Sequence, residues 1–262
     1  MDRVILHSDS KNYDRLDNYY HWLFGYHFPL IYHCITYPGS YFGVACADYA
    51  YLNHTITPPN CDTLDLIKIH HLSKHFPTHL LPRWDHPQGI ISKECETAKQ
   101  WVVENTQTVA SAHKIVVVNR VNCVRSCPSM HPVADALKMI YDNVVLVELE
   151  NTSFNYQYSL FRSADIVIAQ FGTALTNILW CKPTTHIIEI VPSFRTTHKN
   201  RYTDVIDDYH SISDMVGCSH HQIIQLHHRQ LMTDNSNRMR YYVRDVNVEQ
   251  LVSMVGEIYD TT

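Results

Sequence analysis

The sequence predicts an α/β protein built on a doubly wound parallel sheet, and three observations carry that reading. Short β-branched runs recur through the second half of the chain, at residues 114–118, 144–147, 165–169 and 186–191. Segments with helical spacing separate them. The third run leads directly into a glycine turn and another helix. Runs this apolar read as strands covered on both faces. Strand and helix in strict alternation are the signature of a doubly wound sheet.

Each element has its own reason. Residues 114–118 form the first run, closed by Asn119 and Arg120. Residues 131–141 follow Pro128 and place Val133, Leu137 and Ile140 on one helical face. Residues 144–147 are the second strand. Residues 153–162 read as a helix with Ser153 as its cap. Residues 165–169 are the third strand, Gly172 opens a turn, and residues 173–180 form a helix ended by Pro183. Residues 186–191 are the fourth strand. The first half is less regular. Residues 4–6, 41–45 and 64–69 are candidate strands, and 18–32 is an aromatic-rich helix broken near Pro29. Residues 92–108 form a long helix capped by Ser92, with Val102, Val103 and Val109 inward. The last helix, residues 248–259, is placed to pack on either half. A boundary near residues 111–113 gives an N-terminal lobe, 1–112, and a C-terminal lobe, 113–262.

Composition narrows the function classes. With 262 residues, 45% of them hydrophobic and 18% charged, the chain can bury one good core or two small ones, which excludes disorder. The net charge is -5 and the Lys and Arg residues are scattered singly, without the basic stripe of a nucleic-acid binder. No run approaches the roughly 18 apolar residues of a membrane span, and the first residues carry no secretory pattern. A cytoplasmic protein, or a soluble domain of a larger one, is therefore expected. The 8 cysteines are spread thinly and read as reduced thiols rather than a disulfide scaffold.

Three segments together point to a family. The first is Asn18, Tyr19, Tyr20, His21, Trp22, Leu23. The second is the strand ending in Asn119 and Arg120, with Arg125 beyond it. The third runs from Phe161 through Phe171, Gly172, Thr173, Ala174, Leu175, Thr176 and Asn177 to the apolar run ending Ile187, Ile188, Glu189, Ile190. In this order and spacing they resemble the family 61 glycosyltransferases over roughly residues 18–192. That family carries an aromatic-His-Trp segment, an arginine-bearing strand end, a His-Gly-Ala-x-Leu-x-Asn turn and an apolar strand ending in Glu. Phe171 stands where the family has His, and Thr173 where it has Ala. The acidic position often found after the second arginine is absent, with His131 and Pro132 nearby.

The resemblance implies a GT-B-like fold: two Rossmann-like lobes with a cleft between them, the donor held mainly by the second. It implies inversion at the anomeric carbon and no essential metal or cofactor beyond a nucleotide-sugar donor, UDP-linked. Pentoses and N-acetylhexosamines both fit, with xylose the favourite. The acceptor would be an oligosaccharide or a glycoprotein glycan.

The residues themselves suggest how that chemistry would run. A leaving diphosphate gains charge, and an enzyme without metal must meet it with cations or amides. Arg120 sits at the carboxyl end of a strand, where open α/β sheets take their ligands. Arg125 follows within one loop, and guanidinium forks match phosphate oxygens. Both could equally be surface arginines. Gly172, Thr173 and Ala174 open a helix whose free amides suit a phosphate, with Asn177 in the same turn; an ordinary strand-to-helix turn has the same look. Glu189, at the end of its run, could accept from ribose hydroxyls, or sit in a structural ion pair. His21 is the candidate base, since imidazole titrates in the working range. Its neighbour Trp22 offers a stacking face. A His in an aromatic helix is also a common core residue. Asp85 is the second candidate base.

Rival readings exist. Cys218, His220, His221, His227 and His228 cluster, and Cys123 and Cys127 are four apart, so a structural zinc is one. Yet 19 histidines make chance clusters, and no zinc-finger spacing is met, so no metal ligand is assigned. A metal-dependent transferase would need an Asp-x-Asp element after a strand, and neither 62–65 nor 204–208 supplies one. A non-catalytic sugar- or nucleotide-binding module is the third. A nucleotide-dependent oxidoreductase lacks its Gly-x-Gly-x-x-Gly fingerprint, with only 7 glycines in the chain.

Overall fold

The computed structural model describes residues 3–6, 19–36, 41–44, 87–108, 114–120, 127, 129–192, 203–225, 227–230, 240–243 and 246–260. The strand expected over 64–69, Val109, Asp85 and Arg125 lie outside them. The chain divides into two compact units, Met1–Gln107 and Thr108–Thr262.

In the first unit, β1 (Arg3–Leu6) pairs in parallel with β2 (Tyr41–Val44). The aromatic segment is helical throughout: α1 (Tyr19–Trp22), a π-helical turn (Leu23–His27) and α2 (Phe28–Thr36). Pro29 does not break it. The wider turn closes with Phe28 N–H donating to the Leu23 carbonyl, so Pro29 falls in the first turn of α2, where a missing N–H is tolerated. A short α3 (Pro87–Ile90) precedes α4 (Lys93–Asn105). Ser92 caps α4, its Oγ accepting from Cys95 N–H at 3.2 Å. Of the valines expected inward, Val102 is buried and Val103 only half so. α4 packs on α2, joining Phe28, Ile31 and Cys34 to Cys95, Ala98 and Val102 in the unit's core.

The second unit is built on five parallel strands: β3 (Ile115–Asn119), β4 (Val144–Glu148), β5 (Ile166–Gln170), β6 (His186–Pro192) and β7 (Ser219–Gln225). Their order is β4-β3-β5-β6-β7. Residues 115–118 are all buried, as a doubly covered strand requires, and each such side chain contributes about 1.5–3 kcal/mol. On one face, Ile115, Val117, Ile166, Ile168, Ile188 and Ile190 pack under α5 (Met130–Lys138) and α8 (Val248–Tyr259). The last helix thus packs within the second unit. The other face meets α6 (Phe154–Ser163), the 3-10 helix Thr173–Trp180 and α7 (Thr203–Val216). Ser153 caps α6, accepting from Tyr156 N–H. A small antiparallel pair, β8 (His227–Gln230) and β9 (Arg240–Val243), completes the unit.

Two boundaries differ from expectation for a physical reason. α5 ends at Lys138 because Ile140 and Tyr141 N–H both fold back onto the Leu137 carbonyl. Ile140 is therefore 58% exposed instead of inward. β6 runs on to Pro192, so Glu189 lies inside the strand, opposite Ala169 and Gln222, not at its end.

Candidate active site

The strand order makes the connection after β4 pass over β3 to reach β5. The neighbouring carboxyl ends of β3 and β5 then form a topological switch point, where open α/β sheets bind ligands. Asn119 and Arg120 stand at the end of β3, and Gln170, Phe171 and Gly172 at the end of β5.

Polar side chains interrupt otherwise apolar strands here. Asn119, 4% exposed, donates through Nδ2 to Glu148 Oε1 at 3.1 Å. The same Nδ2 lies 3.4 Å from His131 Nε2 at the start of α5. Arg120 is half-buried. Its Nη1 is buried and has no hydrogen-bond partner among the described residues. Gln170 is 1% exposed, and neither its Oε1 nor its Nε2 has a partner there.

Beyond β5, Gly172 caps the 3-10 helix, with Leu175 N–H donating to its carbonyl at 2.9 Å. The first amides of such a helix have no partner within it, and Thr173 and Ala174 are half-exposed at that end. Asn177 turns inward: its Nδ2 donates to Gln157 Oε1 at 3.1 Å and to the Ala174 carbonyl at 3.3 Å. It ties the helix to α6, and only its Oδ1 lacks a partner among the described residues. Phe171 is fully buried, edge-on to Tyr209 of α7 at 5.5 Å. An aromatic at this position is consumed in packing.

Glu189 has the partners a buried carboxylate requires. It is 0% exposed. Its Oε2 accepts from Gln222 Nε2 at 2.9 Å and lies 3.0 Å from His220 Nε2. Ser213 Oγ is 2.8 Å from His220 Nδ1 and donates to the Tyr209 carbonyl at 3.1 Å. The chain of contacts from Ser213 through His220 to Glu189 clamps α7 to the sheet. Oε1 alone has no partner among the described residues.

The histidine cluster is divided by the pleat of β7. His220 faces Glu189, while His221 faces the other way, its Nε2 3.2 Å from His186 Nδ1. Burial, then His186 and His220 beside it, lower the pKa of His221. No group of three potential metal ligands occurs among the described residues.

In the first unit, His21 is half-buried on α1, edge-on to Tyr20 at 5.2 Å. Trp22 offers no open stacking face. It is 2% exposed and lies flat against His27, ring centroids 4.4 Å apart. His27 is a residue the sequence reading missed. It is buried in the π turn, and desolvation lowers its pKa to about 3, so it is neutral. Glu148, His131 and Gln170 were also missed. Their signal was modest: a polar residue closing each of two apolar runs, and a histidine at a helix start.

Sheet order defines an α/β protein on a five-stranded parallel sheet, and buried polar groups without partners among the described residues gather at its carboxyl edge between β3 and β5. The family model described as Glycosyltransferase 61 matches residues 19–188, and the chain belongs to that family. It is a glycosyltransferase, an enzyme that passes a sugar from a donor to a glycan acceptor. No curated protein matches the chain. No helix among the described residues is long and apolar enough to cross a membrane.

Proposed function

We propose that the enzyme is an inverting transferase of GT-B-like, two-lobed architecture. It would take a UDP-linked sugar, with xylose favoured, and pass it to a hydroxyl of an oligosaccharide or glycoprotein glycan without a metal. One observation supports this most: Arg120 keeps a buried Nη1 without a partner among the described residues at the switch point. A buried guanidinium N–H costs free energy until an acceptor meets it, and a diphosphate oxygen is such an acceptor. The amides at Thr173 and Ala174 would meet the remaining phosphate charge, together with Arg125. Gly172 leaves that turn without a side chain. Asn177 holds the turn against α6. A ribose contact by Glu189 is confined to its Oε1, because Oε2 is used inside the fold. The base that removes the acceptor proton is His21, with Asp85 as the alternative. Imidazole is a common general base, and burial bars His27 from that work.

The test is turnover across a panel of nucleotide sugars, with and without EDTA. One UDP-sugar turned over equally in EDTA is the expected result. Activity abolished by EDTA and restored by a divalent cation would overturn the metal-free mechanism. Binding of a nucleotide sugar with no transfer to any glycan acceptor would favour the binding-module reading.

A further inference from the structure

Gln170 poses a problem that packing does not solve. It is the last residue of β5, 1% exposed. By the pleat it shares a face with Ile166 and Ile168, which belong to the apolar core under α5 and α8. It pairs with Ile190 on β6. On its other side the β3 register carries Val118 opposite Ala169, which places Asn119 beside it. Asn119 is engaged with Glu148 and His131. Gln170 is not: its carbonyl and its NH2 both lack partners among the described residues. A buried amide with neither half satisfied is destabilising, and a methionine would fill the same space without that cost.

We propose that Gln170 is a specificity residue for the donor. Its amide would receive a ligand group that offers a hydrogen-bond donor and an acceptor on adjacent atoms. The imide edge of a uracil has that pattern, and so does a vicinal diol of the transferred sugar. The amide stands at the same strand end as Gly172 and next to the strand that carries Arg120. A diphosphate held by Arg120 would bring one flank of the donor, nucleotide or sugar, to it. This rests on the nucleotide-sugar reading above.

The experiment compares wild type with Gln170→Met, measuring the unliganded Tm and the Kd values for UDP and for the UDP-sugar that wild type turns over. The expected result is a Tm higher by about 3 °C together with a Kd for the UDP-sugar at least tenfold weaker. If UDP weakens by the same factor, the amide reads the nucleotide; if UDP is unchanged, it reads the sugar. A raised Tm with unchanged Kd for both ligands overturns the proposal. A lowered Tm, or a variant that does not fold, also overturns it, because the amide is then used within the fold. Failure of wild type itself to bind any nucleotide sugar would sink the functional reading separately, before the variant is examined.

Discussion

The two ends of the parallel sheet are built on opposite terms. At the amino end every polar group named here is answered by another protein group. Asp165 takes Lys182 at 2.7 Å and Lys114 at 3.5 Å. Thr185 Oγ1 donates to the Ala164 carbonyl and accepts from Lys182 N–H. Cys218 Sγ donates to the Lys182 carbonyl. At the carboxyl end Arg120 Nη1 and both atoms of the Gln170 amide are buried with no answer among the described residues. One end closes the fold, and the other leaves hydrogen-bonding capacity unused among the described residues, which the proposed donor would take up. Glu189, midway along β6, belongs with the first kind, since it is already clamped by His220 and Gln222.

The largest effect that would sharpen this contrast is at Glu189. Glu189→Ala leaves the fully buried His220 side chain without its acceptor, so unfolding stability should fall by about 3–5 kcal/mol. Chemical denaturation measures it. A loss below about 1 kcal/mol would mean that the clamp is not structural and would reopen Glu189 as a ligand group.

Acid acts on the first unit through His27, as burial of His221 lets it act on the sheet. His27 has a folded pKa of about 3 against an ordinary 6.5. Below pH 6.5 the unfolded chain binds a proton that the folded one refuses, so the stability present above that pH is lost as pH falls toward 3. The loss is about 1.4 kcal/mol per pH unit, or about 2 kcal/mol at pH 5. His27→Phe should flatten that slope. A slope unchanged in the variant would place the acid sensitivity elsewhere.

Much of the second unit was legible from residue type. Its four runs became β3 to β6 within one or two residues, because strands buried on both faces admit little but β-branched side chains. β7 was not legible: Ser219, His220, His221 and Gln222 have no apolar signature, and their place is set by tertiary partners such as Glu189 and His186. The helix over Pro29 was misread because a π turn shifts proline into a first turn, which periodicity cannot show. At the site, Arg120 and Gly172 were visible as strand-end residues. Gln170 was invisible because its meaning lies in the partners it lacks. Trp22 was misassigned because only the fold reveals that His27 covers it.

The most direct test pairs one residue from each end of the sheet. Donor kcat/KM and Tm are measured for Arg120→Ala and for Asp165→Asn. Arg120→Ala should lose at least tenfold in kcat/KM, about 1.4 kcal/mol or more of transition-state stabilisation, with Tm nearly unchanged. Asp165, 40% exposed in its ion pairs, should change stability by about 1 kcal/mol at most and kcat/KM not at all. The reverse pattern, with Arg120→Ala as active as wild type and Asp165→Asn impaired in turnover, would contradict a donor site at the carboxyl edge.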